Sequence, residues 1–147
     1  MAKAKIVETY SEKSYKGLYL WLVGLVSVMI GFGTLTSLIG AVSDKSEMIK
    51  IHLLLAAFMI WLLFYVILKT ERIYFIYGIS YERAKVAGSK RRNIFAHGYL
   101  RVFSFATLLY AMVGALSTVL AWPFMTDLAA FLFLYGIAVI KGSKISL

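Results

Sequence analysis

Four apolar stretches divide the chain, and the polar segments between them differ in kind. Leu18 to Val42 contains no Asp, Glu, Lys, Arg or His. At roughly 1.5 Å per residue it measures about 37 Å, enough to cross a hydrocarbon core of about 30 Å with tilt. A charge-balanced connector, Ser43 to Lys50, leads to Ile51–Leu68, which is apolar apart from His52 at its start. This run covers about 27 Å, so its helix should reach into both interfaces, with Trp61 and Tyr65 toward its far end. A polar stretch from Lys69 to Arg101 follows, then apolar runs from about Tyr99 to Trp122 and from Leu128 to Ile140. The pattern predicts an all-α fold, an integral membrane four-helix bundle with spans near 18–42, 51–68, 99–122 and 124–141. An inner loop over 69–98 is expected to be partly helical at the membrane surface, and a single membrane domain covers 1–147.

Local signals set the expected ends. Thr9-Tyr-Ser-Glu12 has the capping-box pattern, placing a helix start near Tyr10, with entry into the bilayer at about Gly17. The span-two helix is expected to run on through Glu71–Tyr77 as far as Gly78, with its aromatics at headgroup depth. A short surface helix should occupy Ile79 to Ala87 and end at Gly88-Ser89. Pro123 stops span three, and Thr126 or Asp127 is expected to cap span four. The apolar run after the charged start is too long for a cleaved leader and shows no convincing cleavage site, so Leu18 onward reads as a retained span.

Composition agrees with the pattern: 61% of the 147 residues are hydrophobic and mean hydropathy is +0.81, more apolar surface than a soluble domain of this size encloses. The net charge of +9 raises the question of nucleic acid. Yet the Lys and Arg residues flank the apolar runs, where membrane topology places them. Fourteen of the sixteen lie in the N-terminal, central and C-terminal segments, and only Lys45 and Lys50 lie elsewhere. Both termini and the central stretch are therefore expected on the cytoplasmic side, with the cell membrane as the location. The cluster Lys90-Arg91-Arg92, together with Arg101, is expected to meet anionic lipid headgroups on that face. Arg72 and Arg83 interleave with aromatics in a way that suits stacked bases, but a membrane-surface belt explains them more simply, and no nucleic-acid partner is expected.

Small residues mark expected packing seams. Gly17, Gly24 and Gly31 recur every seven residues, with Gly33 and Gly40 as a second pair. In the third span Ala111 and Ala115, and Gly114 and Thr118, show small-xxx-small spacing. A substrate-lining groove is the alternative reading of the glycine stripe. Two further likenesses suggest that one αα-hairpin has been duplicated in the same orientation. Gly33–Ala41 resembles Gly114–Trp122, and Leu55-Ala-Ala-Phe58 recurs as Leu128-Ala-Ala-Phe131. Chance is the competing account, because apolar helices draw on few residue types.

Chemistry is sparse. With no cysteine there is no disulfide or thiolate ligand. His52 and His97 fall at opposite ends of the bundle and cannot share one haem or metal, so no cofactor or metal site is expected. The span interiors lack the titratable group that proton or ion coupling needs, and no phosphate loop, nucleophile elbow or hydrolytic triad occurs. The expected role is a non-catalytic subunit of a larger membrane complex, of the energy-converting or membrane-oxidase kind, whose partners are other membrane subunits and lipid. A small self-associating channel, and a b-type cytochrome or quinone-site anchor using His52 or His97, are the alternatives.

Overall fold

The computed structural model describes residues 10–38, 40 and 44–147. In chain order the elements are α1 (Lys16–Leu38), α2 (Lys45–Thr70), a 3₁₀ turn (Ile73–Phe75), α3 (Tyr81–Val86), α4 (Gly88–Val119) and α5 (Phe124–Ser143), with no strand among the described residues. α1, α2, α4 and α5 are each long and apolar enough to cross a membrane. The fold is the expected one, an all-α membrane bundle of four long helices.

The ends differ instructively from the expected ones. Residues 10–15 are not helical, and α1 starts at Lys16, while Thr9 of the expected capping box lies outside the described residues. α2 begins six residues early because Asp44 caps it, its carboxylate accepting from the Ser46 N–H at 2.9 Å. It also stops early: Glu71 takes a left-handed conformation, φ +54°, at the C-cap, so the helix does not continue to Gly78. α3 appears as expected, with Ser80 accepting from the Arg83 N–H. α4 starts eleven residues before the expected span, at Gly88, and includes the basic cluster. At about 48 Å it is much longer than a hydrocarbon core, so its first turns stand outside the membrane. Pro123 precedes α5, which has no side-chain cap; Asp127 is engaged elsewhere.

α2 is the hub, packing against α1, α4 and α5. Between α2, α4 and α5 lies a core of small residues and aromatics: Ala57, Phe103, Ala106, Tyr110, Tyr135 and Ala138. Hydrogen bonds inside the protein satisfy Tyr135 within it and Trp61 beside it, as the absence of water in lipid demands. The Tyr135 hydroxyl lies 3.1 Å from the Ala57 carbonyl, to which it donates, and 2.7 Å from Thr107 Oγ1. Trp61 Nε1–H donates to Ser104 Oγ at 2.8 Å. α1 leans on α2 alone among the long helices, through Trp21 Nε1–H donating to the Met59 carbonyl at 2.9 Å and through His52. A two-fold relation between hairpins would map the extensive α2–α4 contact onto α5 and α1. No comparable contact joins those two helices, so the packing is not symmetric, whatever the history of the sequence.

Candidate functional site

The stretch between α2 and α4 builds a polar, ion-paired site. It is partly helical, as expected, and packs into a compact cap with its own core: Ile67, Ile73, Tyr74, Ile76, Ala84, Phe95 and Ala96 are all buried. Tyr74 is thus inside, and Tyr77 is the fully exposed exception among these aromatics. The cap is closed by Glu71. Its carboxylate accepts from Ser89 Oγ at 2.6 Å and from Arg92 Nε at 2.9 Å, with a second Arg92 nitrogen at 2.8 Å. Arg92 also donates to the Ala84 carbonyl, and its guanidinium lies 4.2 Å from the centroid of the Tyr10 ring. The left-handed backbone at Glu71 costs on the order of 1–3 kcal/mol. These contacts hold it there, since they require the carboxylate to turn back over α4.

The segment before α1 is strapped onto this cap. Tyr10 donates its hydroxyl to the Glu71 carbonyl at 2.9 Å and stacks on Tyr81. The Tyr74 hydroxyl accepts from the Ser14 N–H and donates to the Ser14 carbonyl, and the Tyr81 hydroxyl donates to the Ser11 carbonyl. Burial pushes the Tyr10 phenol up to about 12, against the opposing pull of the Arg92 charge. The cluster is saturated with internal bonds, so what it does chemically is fix the angle between the two hairpins and the course of the N-terminal segment.

The expected lipid-facing residues separate accordingly. Lys90, Arg91 and Arg101 are exposed. Arg92 is not: only 4% exposed, it turns inward to Glu71 and cannot serve a headgroup. The expected packing residues also separate. At Gly24 and Gly31 a Cβ would meet nothing within 4 Å among the described residues. Gly33 is in contact, 3.3 Å from His52 Nε2, and Gly40 sits in a left-handed turn. Ala111, Gly114, Ala115 and Thr118 line an open groove of about 170 Å³ beside α2, with Glu47 and Lys50 at its mouth. That seam is not closed by α5.

The close-packing glycines are two that the spacing did not single out. A Cβ on Gly142 would lie 2.9 Å from the Tyr99 ring, and one on Gly98 would lie 3.1 Å from Ile145. These reciprocal pairs join α4 to the end of α5, and their only sequence signal is an isolated glycine on each side. His52 has ring nitrogens 2.7 Å from the Met48 carbonyl and 3.2 Å from the Met29 carbonyl, so an iron or metal ligand here would have to give up a bond. His97 is exposed at the cap. Asp127, expected as a candidate helix cap, is fully buried: its Oδ2 accepts from Ser117 Oγ at 2.5 Å, and its Oδ1 has no hydrogen-bond partner among the described residues. No group of three metal-ligating side chains occurs among the described residues.

Fold and site together define a multi-pass, all-α membrane protein. No family model, no curated protein and no solved structure matches the chain.

Proposed function

We propose that the chain is a non-catalytic subunit of a larger membrane complex of the energy-converting or membrane-oxidase kind, with α1 and the open groove of α4 as the faces on which neighbouring subunits pack. The condition of α1 carries this reading. A full-length span has extensive contact with one long helix, α2, and a Cβ placed on Gly24 or Gly31 would meet no atom of the described residues within 4 Å. Exposed apolar side chains alone say little, because lipid tails cover them as well as protein does. A bare glycine flank says more, because it lets a second backbone come close, and close contact is what drives helix association in lipid. The basic cap then faces the cytoplasm and both termini lie there, following the distribution of Lys and Arg in the cell membrane.

Purification in a mild detergent followed by native mass measurement tests the proposal. A stoichiometric second polypeptide is expected. A lone monomer contradicts it, and a homo-oligomer that conducts ions or small solutes in proteoliposomes replaces it with the channel reading.

A further inference from the structure

At the end of α4 and α5 nearest the cap, a cavity of about 520 Å³ opens between the two helices, within the roughly 300–1,000 Å³ of small-ligand sites. Its lining is mostly apolar, with Val102, Phe105 and Leu108 beside Ser104, and it also carries Arg101 and Lys141. A second hollow, of about 180 Å³, shares Val102, Phe105 and Lys141 with it and runs on past Leu134 and Ile137. Together they make one trough that begins between two cations and continues over hydrocarbon side chains.

The two cations lie at one depth. Lys141 is about 26 Å along α5 from Phe124, and Arg101 is about 27 Å along α4 from Val119, so each is about one hydrocarbon core from the opposite membrane face. Neither is in an ion pair among the described residues, where the ion pairs are Lys50–Glu47 and Arg92–Glu71. No carboxylate among the described residues lines either hollow. Two like charges beside one cavity repel unless an anion lies between them, and a guanidinium beside an ammonium suits a phosphate, which the guanidinium can hold through two bonds. A free phosphate would leave the apolar lining unused, whereas a phospholipid uses both parts.

We propose that this trough binds an anionic phospholipid of the leaflet on the cap side, with Arg101 and Lys141 holding the phosphate and an acyl chain lying along Phe105, Leu109 and Ile137. The inference rests on the membrane-spanning fold and not on the subunit reading, since an isolated chain would bind the lipid equally well.

The test is native mass spectrometry of the delipidated full chain in mild detergent. Phosphatidylglycerol and phosphatidylcholine with identical acyl chains, and glycerol 3-phosphate, are titrated separately. One phosphatidylglycerol per chain should bind at least about tenfold more tightly than phosphatidylcholine, given on the order of a kilocalorie per basic residue. Glycerol 3-phosphate should not be retained. R101Q/K141Q should abolish the preference and K45Q/K85Q, at exposed lysines away from the trough, should leave it. Circular dichroism establishes that both variants are folded, and R101K, which keeps the charge but not the fork, should show a reduced preference. Equal binding of the two lipids, an undiminished preference in R101Q/K141Q, or retention of glycerol 3-phosphate as tight as that of the lipid would each overturn the proposal.

Discussion

Arg92 shows how a single residue changes the account of a segment. In the sequence it is the third member of a basic run, indistinguishable from Lys90 and Arg91. In the fold it is the one that α4 turns inward, to a Glu71 that lies 21 positions earlier. Nothing local announces this pair, because it depends on the left-handed turn at Glu71 bringing the carboxylate back over α4. Removing one partner of such a pair strands the other, so Arg92→Met should cost about 2–4 kcal/mol, below the fully buried range because the Glu71 side chain is 30% exposed. The double variant E71Q/R92M should lose less than the sum of the two single variants, as thermal unfolding in detergent will show. Tyr10 adds a pH dependence. Its phenol is raised from 10.0 to about 12 in the fold, so the stability it contributes is complete below pH 10 and is lost as pH rises through about 12. Tyr10→Phe should be less stable than the parent at pH 7 by about 1 kcal/mol for the lost hydrogen bond. That gap should narrow between pH 10 and 12, whereas a constant gap would mean that Tyr10 is not held as described.

For the helices, legibility follows from what hydropathy measures. A bilayer sets the length of an apolar run, so four long helices were readable, and the structure has them. Their ends were less readable where a side chain chose them: Asp44 starts α2, and Glu71, not Gly78, stops it. Glycine spacing was readable as a shared face but silent about what faces it. The recurrence at Gly17, Gly24 and Gly31 marks one side of α1, yet at Gly24 and Gly31 the described residues supply no neighbour within 4 Å, and the tight contacts are at Gly98 and Gly142, which belong to no repeat. The difference can be measured. Gly142→Ala should destabilise by about 1–3 kcal/mol, because the new methyl meets a Tyr99 ring already bounded by Phe64, Phe95 and Phe103. Gly24→Ala should leave the stability of the isolated chain within about 0.5 kcal/mol.

Taken whole, the molecule is three helices around a shared core, a saturated cap that ties the N-terminal segment to the joint between hairpins, and a fourth span set against one neighbour. The cap's internal bonding gives it a fixed shape, and a fixed shape is what a docking subunit presents. The absence of cysteine allows α1 to be probed at single positions. Gly24→Cys places a thiol on the glycine flank, and Val26→Cys places one about 200° around the same helix. Both variants, treated in native membranes with a short thiol-reactive crosslinker, should be compared by the masses of their adducts. The subunit reading predicts a single heteromeric adduct of defined mass from Gly24→Cys and none from Val26→Cys. Adducts equally absent from both, or formed equally and without a defined mass, would contradict it.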